Sequence, residues 1–274
     1  MAPAEVVRRA RVCHGCTSVS NLGRFLEFSV RTSDIIESMR FYKLLGFEEV
    51  ETSDVWPHKY AVLSDGTINI GLHEREFDSP AVTFVQPDLA KHARKMADHG
   101  FDFTYLHLDD DVFNELGFKD RDGHLVAMQE ARTFTPGDEF TDDSACGSWF
   151  ELTLPVRDAV RAARFWAPIA PALLDMREEP TTHMRFDAGG MPLGLSESIA
   201  LKQPSLCFKC HDRQALKELV DLRGLEYEKF PGFEGAFLVL KAPEGSHLYV
   251  FDEDFLGEAY EVDESADASD FPEL

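Results

Sequence analysis

The sequence predicts an α+β protein built from four tandem βαβββ modules that pair into two domains. Three observations carry the prediction. The stretch Leu26-Glu27-Phe28-Ser29-Val30-Arg31-Thr32-Ser33-Asp34 returns as Phe150-Glu151-Leu152-Thr153-Leu154-Pro155-Val156-Arg157-Asp158, a constant offset of 124 residues that also maps Phe41-Tyr42 onto Phe165-Trp166. Further on, Ile70-Gly71-Leu72-His73-Glu74 answers Leu193-Gly194-Leu195-Ser196-Glu197, and His124-Leu125 answers His247-Leu248, at an offset of 123. Within each half the order strand, helix, strand, strand, strand occurs twice, so the long repeat contains a shorter one.

The elements follow in order from local pattern. Residues 1–24 lack periodicity and read as a leader. Phe25 to Val30 form a strand, Asp34 caps the next helix with Glu37 placed to complete a capping box, and Ile35, Met39, Tyr42 and Leu45 give that helix its apolar face before Gly46 ends it. Strands follow over 47–52, 60–64 and 68–73, with Asp65-Gly66 as a turn. The second module takes a strand at 81–86, a helix opened by Pro87-Asp88 and ended by Gly100, and strands at 101–108, 116–119 and 124–130. Residues 133–147, with Pro136, Gly137 and several acids, have linker composition. The third module takes strands at 149–156, 173–177, 183–187 and 191–196 around a helix at 157–167. The fourth takes strands at 205–210, 225–230, 236–241 and 247–251 around a helix at 213–223. The domains are thus expected at 25–132 and 148–256, with an acidic disordered tail at 257–274.

Composition bounds the function. A net charge of -23 over 274 residues disfavours nucleic acid and anionic membrane surfaces as partners. Ten acids and no Lys or Arg occupy 252–274, which reads as a solvated tail. Five cysteines do not make a disulfide framework, and the expected location is cytoplasmic. Cys13-His14-Gly15-Cys16 has the spacing of half a zinc or redox site but no second half. Cys207 and Cys210 fall on opposite faces of one strand and form no chelating pair. No P-loop, dinucleotide fingerprint or Ser-His-Asp order occurs.

The four modules, the Asp34-capped helix, Phe41-Tyr42, Leu45-Gly46-Phe47 and the turn Asp120-Arg121-Asp122-Gly123-His124 resemble the vicinal oxygen chelate superfamily. This is the group of glyoxalase I, extradiol dioxygenases, methylmalonyl-CoA epimerase and the bleomycin and fosfomycin resistance proteins. The resemblance implies two glyoxalase-like domains, each a curved sheet around a cleft, and a small-molecule ligand. It also implies a divalent ion held by the first and last strands of each module. Position by position the ligand set is incomplete. Glu27 stands on the first-strand position, but Asn69 or Gly71, Ala81 and Ala127 stand on the others. Glu151 is likewise accompanied by Leu193 or Gly194, Ser205 and Tyr249. No metal and no cofactor is therefore expected. A two-residue shift of register would instead bring in His73, Glu74, His107, His183 and Glu197, and with them a metal-dependent lyase, isomerase or dioxygenase.

Glu27 and Glu151 are then expected to be ligand anchors or acid/base groups with pKa values raised by burial, or partners of an arginine such as Arg31, Arg40 or Arg164. Within Trp56-Pro57-His58-Lys59-Tyr60, Trp56 and Tyr60 are candidates for stacking on a flat ligand or for core packing. Asn69 and His73 complete the candidate ligand set, although His73, ending a strand, reads as a surface residue. His124 and His247 read as turn residues. The expected function is binding of a small organic molecule in a cleft. The remaining alternative is a non-catalytic interaction protein with closed clefts, and the oligomeric state is left open.

Overall fold

The structure is a computed structural model that describes residues 22–53, 56–109, 113–135, 144–178, 181–228 and 237–253. The leader with Cys13 and Cys16 and the tail from residue 254 lie outside the described residues.

The first module comprises β1 (Arg24–Arg31), α1 (Ile35–Leu44), β2 (Glu48–Val50), β3 (Tyr60–Ser64) and β4 (Asn69–His73). The second comprises β5 (Ala81–Val85), α2 (Leu89–Asp98), β6 (Phe103–His107), β7 (Glu115–Lys119) and β8 (Leu125–Gln129). The third comprises β9 (Ser148–Pro155), α3 (Ala159–Trp166), β10 (Ala172–Arg177), β11 (His183–Ala188) and β12 (Met191–Ser196). The fourth comprises β13 (Ser205–Cys210), α4 (Arg213–Arg223), β14 (Tyr227–Glu228), β15 (Phe237–Lys241) and β16 (His247–Asp252). The expected α+β architecture of four modules is thus present, with strand ends shifted by a residue or two.

Pairing explains why modules come in twos. Within each module the first strand runs parallel to the last, as in β1 with β4 and β5 with β8. The first strands of two modules then pair antiparallel, β1 with β5 and β9 with β13. Each half is therefore one eight-stranded sheet, β2-β3-β4-β1-β5-β8-β7-β6 and β10-β11-β12-β9-β13-β16-β15-β14. A module alone would leave its first strand with an open edge, and the partner covers it.

The helices start where the repeat places them. Asp34 accepts from the backbone N–H of Ile36 and Glu37, and Asp158 from that of Arg161. The Asp34 N–H that Glu37 would accept in a capping box donates to Thr32 Oγ1 instead, while the carboxylate of Glu74 accepts from Ile35 N and Glu197 does the same for Ala159 N in the third module. Two register-shift candidates are thus occupied at helix ends, away from the clefts. The helical faces of both sheets share one core, in which Phe47 meets Phe208 at 6.3 Å and Phe101 meets Phe165 at 5.1 Å between ring centres. That leaves the opposite face of each sheet as the cleft side. Among the described residues no helix is long and apolar enough to cross a membrane.

Candidate functional site

The two repeated glutamates owe their position to a bulge. In β1, Phe25 pairs with Phe84 and Glu27 with Thr83, so Leu26 is an extra residue; in β9, Phe150 is extra between Trp149 and Glu151. Each bulge carbonyl finds a side-chain donor, Asn69 Nδ2 at 3.0 Å from Leu26 O and Arg185 Nη2 at 3.2 Å from Phe150 O. Asn69, expected as a ligand residue, thus braces the bulge from β4. The bulge turns Leu26 towards a small cleft-side cluster with Val50, Val62 and Phe134, while Phe28 and Val30 face the main core.

A glycine makes room for each carboxylate. Gly71 lies beside Ser29 on the parallel neighbour β4, and a Cβ there would sit 2.2 Å from Glu27 Cδ. Gly194 plays the same part on β12, where a Cβ would come within 2.9 Å of Glu151 Oε1. The close approach, rather than backbone freedom, is what these two positions require.

Glu27 is fully buried and surrounded by donors. Ser29 Oγ and His73 Nε2 donate to Oε1 at 2.7 and 2.9 Å, and Tyr60 OH donates to Oε2 at 2.5 Å. The network extends outward: Ser29 Oγ lies 2.6 Å from Thr83 Oγ1, Tyr60 OH lies 2.9 Å from Thr133 Oγ1, and His73 Nδ1 lies 3.0 Å from His58 Nε2. Thr133 and Phe134, the first residues of the expected linker, thereby line this cleft.

These contacts overturn three expectations. His73 is buried, because the strand it ends runs beside β1 and carries its ring under Tyr60, 4.6 Å away. The partner of Glu27 is none of the three arginines considered; Arg31 instead pairs with Glu76 at the surface. The pKa of Glu27 is lowered, not raised. Burial pushes it up, but the hydrogen bond and charge of His73, with the Tyr60 and Ser29 bonds, outweigh burial and hold the carboxyl below the usual range. Burial and the Glu27 charge together raise Tyr60.

Around this centre lies an aromatic wall. Trp56 packs on His58, His73 and Phe113 at 5.5, 6.2 and 5.2 Å between ring centres. Arg75 lies over Trp56 at 5.0 Å and over Phe77 at 5.6 Å, and its Nη2 is 3.7 Å from Glu115 Oε2 on β7. Glu115 in turn meets His107 Nδ1 at 3.2 Å. Across the sheet from Glu27 the register runs through Thr83, Ala127 and Gly117. His58 is pushed down to about 4, first by partial burial and then by the charges of His73 and Arg75.

The second cleft keeps the carboxylate and changes its company. Thr153 Oγ1 donates to Glu151 Oε1 at 2.7 Å, His183 Nε2 lies 3.2 Å from the carboxylate, and Arg185 Nε forms an ion pair at 3.0 Å. The Arg185 N–H does not point along that contact, so the pair is Coulombic rather than a hydrogen bond. Glu151 is also lowered, with burial opposed by His183, Thr153 and Arg185. An arginine does serve here, but from β11 rather than from Arg164. Opposite it, Tyr249 OH donates to Ala200 O at 2.6 Å, and Phe237, Tyr249 and Phe251 pack on one another with Phe150 against Phe251.

No family model and no curated protein sequence matches the chain. Solved structures do. The 2,3-dioxygenase LapB from Pseudomonas sp. KL28 superposes with a TM-score of 0.57 at 12% identity, covering 86% of this chain and 93% of that one. A catechol 2,3-dioxygenase gives 0.53 at 16%, over 83% and 87% of the two chains. The 2,2',3-trihydroxybiphenyl 1,2-dioxygenase from Sphingomonas wittichii RW1 gives 0.53 at 16%, over 87% and 93%. The chain has the fold of these dioxygenase structures, two eight-stranded sheets each built from a pair of βαβββ modules. At such identities the likeness is one of fold.

On this fold the sequence-named residues separate. Glu27, Tyr60, His73 and Trp56 come together in the first cleft, Glu151 meets His183 in the second, and Asn69 sits behind the bulge. His124 reaches across the halves to Pro155 O at 2.7 Å, while its own carbonyl closes the preceding turn. Sequence reasoning missed Arg75 and Arg185 as cleft residues. It also passed over Ser29 and Thr153, although their hydroxyls repeat at the same offset as the glutamates. Among the described residues no three His, Cys, Asp or Glu side chains are grouped so as to hold a metal ion.

Proposed function

We propose that the first cleft binds a small organic molecule through the protein's own donors and rings, without a divalent ion. The observation that carries this is the saturation of Glu27. Both its oxygens already accept short bonds from Ser29, Tyr60 and His73. A cation would have to displace O–H and N–H donors from the carboxylate, and across the sheet Thr83, Ala127 and Gly117 offer it no second anion. The residues present therefore do not fit a catalytic metal, although the structural neighbours are dioxygenases by name. Glu27 acts from beneath, fixing the orientation of Tyr60 and of the buried His73 on which Trp56 packs, so that the Tyr60 and Trp56 rings offer the flat surface that small ligands use.

The test is a ligand-observed NMR screen of mono- and bicyclic fragments in the presence of a chelator. Hits should persist in chelator, weaken in Trp56→Ala, and be indifferent to Phe237→Leu in the second cleft. Hits that require an added divalent ion, or that follow Phe237 and ignore Trp56, would contradict the reading.

A further inference from the structure

Beside the saturated carboxylate, the first cleft holds donors that are not saturated. Trp56 Nε1 and Arg75 Nε are buried atoms that have no hydrogen-bond acceptor among the described residues, although the Arg75 side chain as a whole is 32% exposed. A buried N–H without an acceptor is costly, and a guanidinium N–H more so. These two belong to neighbouring groups, since the Arg75 guanidinium lies 5.0 Å from the centre of the Trp56 ring. The charge of Arg75 is only loosely answered: its Nη2 lies 3.7 Å from Glu115, beyond hydrogen-bond reach, while Glu115 already has His107 at 3.2 Å. Glu27 is no competitor, because its oxygens are taken up by Ser29, Tyr60 and His73. The surroundings are aromatic and apolar, formed by Trp56, Phe77 and Phe113.

We propose, building on the small-molecule reading above, that the ligand class of the first cleft is a planar organic anion. Its carboxylate, or a similar flat oxyanion, accepts from Arg75 and from the Trp56 indole, and its unsaturated body lies among the rings. A guanidinium recognises a planar oxyanion by paired N–H bonds, which a spherical or neutral ligand does not reproduce. Chain-wide repulsion at -23 does not forbid this, because screening in physiological salt limits distant charges while Arg75 is in contact. Among the described residues Glu115 is the anion paired with Arg75, and it can remain on His107 when Arg75 turns to the ligand.

The probes are benzoate, its neutral counterpart benzyl alcohol, and inorganic sulfate, each titrated by calorimetry and by the indole N–H resonances of the three tryptophans. Trp149 Nε1 and Trp166 Nε1 also lack a hydrogen-bond partner among the described residues but lie outside this cleft, so they serve as internal references. Benzoate should bind more tightly than benzyl alcohol and sulfate and shift the Trp56 signal alone, identified by its loss in Trp56→Phe. Arg75→Met should weaken benzoate by roughly tenfold or more, and Arg75→Lys by less, with benzyl alcohol unaffected by either. Circular dichroism confirms that each variant is folded, and Arg75→Lys keeps the test valid if Arg75→Met is not. Equal binding of benzoate and benzyl alcohol, unchanged by Arg75→Met, would overturn the anion class and leave the small-molecule reading intact. Sulfate binding as tightly as benzoate would overturn the planar body. Failure of both aromatic probes would overturn the inference, and the fragment screen would then judge the underlying reading separately.

Discussion

The two clefts share a frame and differ in what they do with it. Each has a bulge before a buried glutamate, a glycine beside the carboxylate, and a hydroxyl two residues on, Ser29 or Thr153, that donates to it. In the first cleft the carboxylate is closed off by the Tyr60 hydroxyl and the His73 imidazole, and the cationic Arg75 is left facing rings. In the second the cation, Arg185, is drawn onto the carboxylate itself, and the opposite strands place Phe237, Tyr249 and Phe251 against one another. The repeated glutamate is therefore a piece of architecture common to both, and in the proposed function the two clefts part at where the arginine goes.

The comparison can be broken most strongly at the glycines. Gly71→Ala drives a Cβ into the centre of the Glu27 carboxyl and should cost on the order of 3 kcal/mol in chemical denaturation. Gly194→Ala meets only the edge of Glu151 and the His183 ring, and should cost about 1 kcal/mol. Equal losses would mean that the two sites are equally tight. Next in size are the carboxylates. Glu27→Leu removes the acceptor of three buried donors, of which Ser29 and Tyr60 keep Thr83 and Thr133 as partners, and should destabilise by roughly 2 kcal/mol, whereas Glu151→Leu should cost less, because the Arg185 side chain is 29% exposed and can rehydrate.

Acid titration gives a smaller effect with a definite sign. Both glutamates are held below their unfolded values, so in the window between the folded and unfolded pKa the unfolded chain binds more protons. Their contribution is complete above the unfolded value and is lost as pH falls through the folded one. Glu27→Gln should accordingly flatten the acid limb of the stability curve below about pH 4.5, measured by urea midpoints, and an unchanged limb would assign acid lability elsewhere. The least perturbing test is spectroscopic: the His58 imidazole should titrate near pH 4 by NMR, and Arg75→Met should move that midpoint upward by removing a neighbouring positive charge.

Much of this frame was legible in the sequence. The offsets of 124 and 123 place equivalent elements correctly because strands and helix caps tolerate little insertion, and the Asp34 and Asp158 caps follow from local chemistry alone. What sequence could not show were relations across the sheet. The bulges at Leu26 and Phe150 are invisible until β5 and β13 are paired with their neighbours. His73 reads as a surface residue because it ends its strand, yet the parallel pairing of β4 with β1 lays it on Glu27. The pKa direction failed for the same reason, since burial can be guessed from a strand of apolar residues but the donors that outweigh it come from β3 and β4. Arg75 and Arg185 carry no local signal at all, one lying just past a strand and the other within one.

The central claim is that the first cleft works with protein donors in place of a metal, and metal analysis tests it most directly. The protein should be expressed in medium supplemented with iron, manganese and zinc, then dialysed and measured by mass spectrometry. The account predicts far less than one divalent ion per chain, unchanged in Glu27→Gln. An ion retained at one per chain and lost in Glu27→Gln would contradict it.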